Sequence, residues 1–324
     1  MRIFENASYP FLSWRRKAFV VTAVLLVLTV AAMLRNIVDA DIRSWLNYGV
    51  DFTGGTIVQV SFDQPTDVEA IRAAGGGSGW EIYRYGSEEE FIIRMATFAQ
   101  GTEQDAAQVV NQTLAPEFGE GNFQVVRTEA VGPKVGAELQ QKALLAILLS
   151  LGATLLYLWY RFEWRFGAAA VVATVHDIFI TLGFLAILRT EISLGTVAAL
   201  LTIVGYSLND TIVVFDRIRE NLGLPHRGQS FADIVNRSIN ETLPRTVLTG
   251  VSTLGTLFAL LIFGGPVIRD FALVLILGIV IGTFSSIFVA SPVLYLIEQK
   301  WPRKTQRGGA APRAAGARRQ SAVV

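Results

Sequence analysis

The sequence predicts an α-helical membrane protein with six transmembrane helices and one small α+β domain outside the membrane. Three observations lead to this fold class. The chain of 324 residues is 52% hydrophobic and only 17% charged, which is too apolar for an ordinary soluble domain. Six apolar stretches each approach the ~20 residues that cross a ~30 Å hydrocarbon core. One long segment, residues 39–142, instead carries the alternating pattern of a small folded domain.

The first apolar stretch, Ala18–Leu34, follows three basic residues and at first sight resembles a secretory signal peptide. It is longer than a usual signal-peptide core, and residues 38–40 are a weak imitation of a cleavage site. We therefore interpret residues 18–38 as an uncleaved first transmembrane helix that follows a cytoplasmic segment, residues 1–17. The membrane region 143–302 holds the other five predicted spans, Ala143–Tyr160, Phe166–Leu188, Leu194–Phe215, Thr246–Gly264 and Phe271–Ile297.

The distribution of positive charge predicts that both termini are cytoplasmic. Six spans return the chain to its starting side, and 18 of the 28 Lys and Arg residues then lie on that side. The two short turns on the other side carry one arginine each, Arg189 and Arg269. Because cytoplasmic loops are the ones enriched in Lys and Arg, residues 39–142 are expected to form a periplasmic domain of a multi-pass protein in a bacterial inner membrane.

The predicted element order of the external domain is β-α-β-β-α-β, which matches the ferredoxin-like sandwich. Thr66 is expected to begin the first helix, and the glycines at 75–77 to end it. Residues 133–142 are expected to form a polar helix that feeds the second span. The six predicted elements are Thr56–Phe62, Asp67–Ala74, Glu81–Tyr85, Phe91–Phe98, Glu103–Leu114 and Phe123–Val131.

Two further segments are expected in the cytoplasm. Residues 303–324 are rich in Arg, Gly, Ala and Pro without apolar periodicity, and are predicted to be disordered. Their charge suits contact with anionic lipid or ribosomal RNA, or simply a solubilising tail that sets the topology. The loop 216–245 carries an apolar stripe, which predicts a helix lying along the membrane surface. The stripe consists of Phe231, Ile234, Val235, Ile239 and Leu243.

The composition argues against several classes of enzyme. The chain has no cysteine, which excludes disulfides, thiolate metal sites and cysteine nucleophiles. Its two histidines, His176 and His226, are too few for a His-rich metal centre. No Walker loop, dinucleotide fingerprint or paired metal-ligand motif is present. We therefore expect neither a cofactor nor enzymatic activity.

Two carboxylates inside predicted spans are the strongest functional signal. Asp177 lies within Phe166–Leu188, and Asp210 lies within Leu194–Phe215. A carboxylate at bilayer depth costs roughly 2.5–3.5 kcal/mol on insertion scales, and such residues usually mark ion or proton paths. The alternatives are structural, namely a hydrogen bond that specifies helix packing at Asp177 and a static ion pair at Asp210. The pattern favours a device driven by an ion gradient.

Arg245, at the edge of the fifth span, is the candidate partner of Asp210. Burial favours the protonated form of a carboxyl group and a nearby guanidinium favours the charged form. Movement of Arg245 would therefore release or take up a proton, although an arginine at this position more often reaches to lipid headgroups. Asn209 points about 100° away from Asp210 and offers its amide to another neighbour. A polar stripe beyond Arg245 is expected to face inward; it consists of Thr249, Ser252, Thr253 and Thr256.

Two other patterns concern helix packing. Thr174 and Thr181 share the helix face of Asp177, whereas His176 is expected to project about 100° away from it. Gly278 and Gly282 form a small-residue face on the sixth span, which allows close approach either by another helix of this chain or by a partner.

Five stretches of the sequence resemble the SecF family of bacterial protein export. They are residues 49–56, 131–136, 175–177, 208–221 and 243–246, and they follow the order and topology of that family. The resemblance implies an RND-type half-transporter that pairs with SecD and uses the proton gradient, or sodium in some relatives, to help draw preproteins across the membrane. It also implies the SecYEG channel, YajC, unfolded preproteins and membrane lipids as partners, with no nucleic acid.

The resemblance assigns roles to individual residues. Asp210 matches the proton-responsive carboxylate of the family, Arg245 its basic partner, and Asp177 the carboxylate of the third span, while Asn209 belongs to the same motif as Asp210. A second set of residues forms a hinge for the external domain or, equally well, a tight turn that does not move. That set consists of Asp51, Gly54, Gly55, Gly132 and Pro133.

Two other functions remain open at this point. A half-size RND-type exporter of lipids or small molecules would share the membrane pattern, but that class has larger external domains than residues 39–142. A structural scaffold would use its buried polar residues only to pack helices.

Overall fold

The computed structural model describes residues 7–39, 42–75, 80–85, 87–95, 103–225 and 229–303. Within those residues, six helical segments are long and apolar enough to cross a membrane. A four-stranded sheet with covering helices lies between the first and the second of them. The predicted fold class is confirmed. Several predicted features fall outside the described residues: the glycines at 76–77, the strand end at 96–98, His226 and the tail at 304–324.

The chain begins with a 3₁₀ turn, Phe11–Trp14. The sixth span is interrupted by a π-helical turn, Ser286–Ala290, which separates α9 from α10. The remaining elements, in chain order, are α1 Arg15–Val38, α2 Val50–Thr53, β1 Gly55–Phe62, α3 Val68–Ala74, β2 Glu81–Arg84, β3 Glu90–Met95, α4 Glu103–Phe118, β4 Phe123–Val131, α5 Pro133–Arg161, α6 Trp164–Leu188, α7 Leu194–Gly223, α8 Phe231–Phe263, α9 Gly265–Ser285 and α10 Ser291–Lys300.

The sheet domain has the predicted β-α-β-β-α-β order. Its strands are arranged β2-β3-β1-β4 and every neighbouring pair is antiparallel, as in a ferredoxin-like sandwich. Alternate residues of the central strands point to one face, where Val58, Val60, Phe91 and Ile93 are fully buried. The helices α3 and α4 cover that face. Their buried contributions to the same core are Ile71, Ala106, Val110 and Leu114.

The prediction of a surface helix in the loop 216–245 is wrong. The helix α7 continues to Gly223, and α8 runs without a break from Phe231 through Leu243 into the fifth span. The apolar stripe of α8 packs in one core cluster with Phe215 and Ile218 of α7. Because the extended α7 offers an apolar helical surface, the stripe is buried against protein rather than laid on headgroups.

The segment before α1 is tied to the part of α8 that precedes Arg245. The backbone N–H of Tyr9 donates to Asn240 Oδ1 at 2.8 Å, and Asn240 Nδ2 donates to the carbonyl of Tyr9 at 2.9 Å. The N–H of Leu12 donates to Asn236 Oδ1 at 2.9 Å. Two side-chain amides thus bond to the backbone of Tyr9 and Leu12, so residues 9–12 are held in place by the first part of α8.

The small-residue face of the sixth span is used within the chain. A Cβ atom added at Gly278 would overlap the side chain of Ile203 on α7, and one added at Gly282 would lie 2.8 Å from Cβ of Ser207. The two glycines therefore set how closely α9 approaches α7, as small residues do in helix pairs within membranes.

Gly278→Ala is expected to lower the free energy of unfolding by about 1–3 kcal/mol, because the added methyl group overpacks the contact with Ile203. Thermal unfolding of the purified protein in detergent measures this loss. The matched control is Gly152→Ala on α5, where no atom lies within 4 Å of the added Cβ. We expect the control to be as stable as the parent or slightly more stable, since alanine favours helix. Equal stability of both variants would contradict the assigned helix contact.

Candidate ion-coupling site

Asp177 is held at the meeting point of three helices. Its side chain is 1% exposed in the middle of α6. Ser207 Oγ on α7 donates a hydrogen bond to Asp177 Oδ2, and Ser285 on α9 faces the same carboxyl group. Gly282 permits this arrangement, because it lets α9 approach Ser207 closely. The site thus depends on side chains from three separate spans.

The ring of His176 folds back onto Asp177, contrary to the expectation that it projects away. His176 Nδ1 lies 2.9 Å from Asp177 Oδ1, and its Nε2 atom is buried without a hydrogen-bond partner. The threonines on the Asp177 face do not serve the carboxyl group. Thr174 and Thr181 each donate to a backbone carbonyl of their own helix. The side chains that contact the Asp177 carboxyl group are therefore Ser207 and His176.

Asp210 lies one helical turn after Ser207 and has a different environment. Its side chain is 3% exposed, and its Oδ2 atom is buried without a hydrogen-bond partner. Arg245 attracts the charged form of Asp210 electrostatically, but no ion pair within 4 Å joins these two residues, both of which are described. Arg245 is itself exposed on α8. The structure thus places Arg245 near Asp210, but the two residues do not form an ion pair.

The expectation that the polar stripe beyond Arg245 faces inward is wrong for two of its four residues, while Thr249 and Thr253 are half-buried. Ser252 and Thr256 are exposed on α8, and their hydroxyls donate only to carbonyls of their own helix. Thr253 contacts Tyr206 of α7 at 3.5 Å between the two hydroxyl oxygens. Ser252 and Thr256 face outward because the apolar side of α8, which includes Leu257, packs on α9.

A parallel row of polar residues lies on α7 at the same outer surface. Thr202, Gly205 and Asn209 are exposed there, whereas the adjacent Asp210 is buried. The predicted divergence of Asn209 and Asp210 is therefore observed. The two rows flank the contact between Tyr206 and Thr253, and they present polar groups at a depth where lipid offers no hydrogen bonds.

The glycine turn before β1 has a backbone that only glycine adopts comfortably. Gly54 has φ 75° and ψ 166°, and Gly55 has φ 125°. Gly54 lies in a region of backbone space that is essentially confined to glycine. Gly132, in contrast, has an ordinary extended conformation with φ −67° and open space around it, and Pro133 is the first residue of α5. The local backbone therefore explains why glycine is required at two of the three predicted positions, Gly54 and Gly55, but not at Gly132.

Asp51 and Gly136 attach this turn to the membrane helices. Asp51 Oδ2 accepts a hydrogen bond of 2.7 Å from the N–H of Leu194, the first residue of α7. A Cβ atom at Gly136 of α5 would lie 2.9 Å from the carbonyl oxygen of Phe52 and 3.0 Å from the nitrogen of Gly54. Gly136 was not among the predicted site residues, although it lies in the stretch 131–136 that carried the resemblance.

Two family models match the chain. A family model described as "Protein export membrane protein SecD/SecF, C-terminal" matches residues 110–300, and one described as "SecD/SecF GG Motif" matches residues 44–66. The second match contains Asp51 and the glycine turn.

Curated relatives from bacteria match over most of the chain. A protein from Gemmatimonas aurantiaca is 47% identical over 311 residues, which are 94% of this chain and 91% of that relative. A protein from Vibrio alginolyticus is 41% identical over 93% of this chain and 94% of that relative. Both are named "Protein translocase subunit SecF", which describes a transport subunit.

Two solved structures share the fold. The crystal structure of SecDF from Thermus thermophilus, described as a translocon-associated membrane protein, matches with a TM-score of 0.80 and 37% identity over 92% of this chain. A crystal structure of SecDF in a super-membrane-facing form matches with a TM-score of 0.64 and 38% identity over 91% of this chain. The chain spans only 40% and 39% of the length of those two solved chains.

Ser207→Ala is expected to lower the free energy of unfolding by about 1–3 kcal/mol, because it removes the hydrogen bond that α7 donates to the buried Asp177. A thermal unfolding series in detergent measures the change. Ser252→Ala is the control, since its hydroxyl is exposed and bonds only within its own helix. A Ser207 variant that unfolds together with the control would show that the cross-helix bond adds no stability.

Gly54→Ala is expected to cost about 1–3 kcal/mol, because alanine is strained at this positive φ. Gly132→Ala should be nearly neutral, since alanine adopts the backbone found there without strain. Unfolding midpoints of the two variants, compared with the parent, check the difference. Similar losses in both variants would mean that the turn does not have the backbone described above.

Proposed function

The chain belongs to the SecF branch of the SecD/SecF family of protein export membrane proteins, and from this premise we propose that it pairs with SecD and uses the proton-motive force to assist preprotein transfer across the bacterial inner membrane. The observation that carries the proposal is the environment of Asp210. This carboxyl group is buried at membrane depth with one oxygen unpartnered, and Arg245 lies near it without forming an ion pair.

Such an environment gives Asp210 two alternative states. Without a partner, the buried group is far less costly when it is protonated and neutral. When Arg245 moves closer, the charged form is stabilised and the proton can leave. One elementary charge that crosses 100 mV is worth about 2.3 kcal/mol. That free energy shifts a two-state equilibrium tens-fold, which suffices to bias a domain between two poses.

The contacts of α7 support a route from Asp210 to the sheet domain. Asp51 binds the first N–H of the helix that carries Asp210, and the turn that follows Asp51 packs on Gly136 of α5. A shift of α7 along its axis would therefore act on the glycine turn and on α5 together. We interpret Gly54 and Gly55 as the anchored pivot of this lever rather than as a freely flexible linker.

The outer polar rows of α7 and α8 support the pairing with SecD. Asn209 and Arg245 lie at this surface, and polar groups at membrane depth are usually covered by protein or line a watery cavity. The two solved SecDF chains are much longer than this chain, which leaves a second membrane unit to supply that cover.

In this arrangement both termini lie in the cytoplasm and the sheet domain lies in the periplasm. Residues 303–324 then form a basic cytoplasmic tail. We further propose the SecYEG channel, YajC, lipids and the unfolded preprotein as contacts, on the strength of the family resemblance.

Asp210→Asn tests the proposal because asparagine keeps the shape of the neutral acid and cannot release a proton. In membranes that contain the variant together with SecD, we expect the gradient-stimulated part of preprotein translocation to fall to background. The rate is measured with and without a protonophore. Asp210→Glu, which restores a carboxyl group, should recover part of the stimulation.

Asp216→Asn is the matched control on the same helix. Asp216 is half-exposed and bonded to Arg161 and Arg219, so its loss should leave the stimulation intact. If Asp210→Asn keeps full stimulation, proton coupling at this residue is wrong. If the variant is missing from the membrane while the control is present, Asp210 serves helix assembly instead.

A further inference from the structure

The sheet domain rests on the short turn between α6 and α7. The N–H of Gly49 donates to the carbonyl of Ile192 at 2.9 Å, and the N–H of Ile192 donates to the carbonyl of Asn47 at 2.7 Å. Tyr48 and Ile192 form a parallel β-bridge. These bonds join the chain that enters the domain to the chain that enters α7, so the junction is built from backbone on both sides.

The carboxyl group of Glu191 points into this junction, where the backbone N–H of Val50 is a donor to it but one of its two oxygens has no partner. Its Oε1 atom is buried and accepts no hydrogen bond. A Cβ atom at Gly49 would lie 2.9 Å from that oxygen, so the residue opposite Glu191 has to be glycine to leave room for it. Burial of a carboxylate oxygen without a donor is costly, whereas the protonated group is tolerated far better.

The charged groups around Glu191 come from three elements. Arg94 on β3 attracts its charged form, while Asp51 on α2 and Asp270 on α9 oppose it. Arg94 is itself engaged elsewhere, since its guanidinium donates to Thr53 Oγ1 at 2.7 Å. The cation that attracts Glu191 is thus shared with the turn, and two acids oppose a negative Glu191.

The Asp270 side of the junction is closed by Tyr85 of the sheet domain. The Tyr85 hydroxyl donates to Asp270 Oδ2 at 3.0 Å, and both Arg127 and Arg269 lie within electrostatic range of these two residues. Burial, reinforced by Asp270, raises the pKa of Tyr85, so this hydroxyl stays a donor at all physiological pH values. The acceptor is the Asp270 carboxylate, so protonation of Asp270 at low pH would weaken this contact, in the direction opposite to that expected for Glu191.

We propose that Glu191 is a proton-binding latch that holds the sheet domain on the α6–α7 turn when it is neutral and loosens that contact when it is charged. The latch lies outside the membrane spans, on the domain side of the molecule. It goes beyond the function proposed for Asp210 and does not require it, because the proton binds at the junction and acts there directly.

The pH dependence follows from the surroundings of Glu191. Burial raises the pKa of Glu191 above its ordinary value, Arg94 and the N–H of Val50 offset part of this rise, and the two acids add to it. The docked domain consequently binds the proton more tightly than the undocked domain. Docking is therefore strongest below the ordinary glutamate pKa, and its extra stability is lost as the pH rises through the raised value of the docked state.

The absence of cysteine from the chain allows a direct measurement of docking. Spin labels on Gln112→Cys in α4 and Ile262→Cys at the domain-side end of α8 report the distance between the domain and the membrane helices. With the full chain in lipid nanodiscs, we expect one short distance at low pH and a longer, broader distribution as the pH rises.

Glu191→Gln is expected to abolish this pH dependence and to keep the short distance throughout. Gly49→Ala, which crowds the buried oxygen, should give the long distribution even at low pH. Glu88→Gln, at an exposed acid of the same domain, is the matched control and should titrate like the parent.

Two results would overturn the latch. One is a distance in the parent that does not change with pH, and the other is a Glu191→Gln variant that still titrates. Asp210→Asn separates this inference from the proposed function, because its distance should titrate like that of the parent whether or not translocation depends on Asp210.

Discussion

Carboxyl groups buried among apolar helices organise this membrane unit, because each must be bonded on several sides or kept neutral. Asp177 shows the first solution. Its carboxyl group accepts a hydrogen bond from Ser207 and contacts the ring of His176. Gly278 and Gly282 allow α9 to approach closely enough to enclose it. Asp210 on α7, one turn after Ser207, has no such set of partners. Two neighbouring helices therefore carry buried carboxyl groups in different environments: the one on α6 is bonded from other spans, and the one on α7 has an unpartnered oxygen.

A third acid, Glu191, lies just before the start of α7 and has different surroundings. Asp51 binds the first N–H of the helix, while Glu191, only three residues before that helix begins, is enclosed by the domain. One helix thus connects the junction with the sheet domain to the region of Asp210 and Arg245. The geometry of this connection depends on Gly54 and Gly55, which have positive φ angles, and on Gly136, whose missing side chain permits the close contact with the turn.

Local patterns predicted the elements well, and predicted the neighbours of each element less well. Strand alternation and helix spacing are properties of short segments, so the six elements of the sheet domain and the six spans follow from them. The apolar stripe of α8 and the threonine and serine stripe beyond Arg245 were both assigned to the wrong surroundings. Periodicity shows that a helix has two unlike faces, but the covering partner is set by distant segments such as the extension of α7.

The contact of His176 with Asp177 was missed for a different reason, since side-chain rotation can bring adjacent residues together. Glu191 gave no signal, because an acid in a short polar turn is ordinary until a domain covers it.

The amide network at the beginning of the chain has a consequence for biosynthesis. The backbone groups of Tyr9 find their partner in Asn240, which follows 231 residues later. At the ribosomal rates of about 5–20 residues per second, that interval lasts roughly 10–50 s. Throughout it, the backbone groups of Tyr9 have to bond to water or to other polar groups instead. These hydrogen bonds can form only after α8 has been synthesised. Substitutions at Asn236 and Asn240 should therefore slow the folding of the new chain more than they disturb the folded protein.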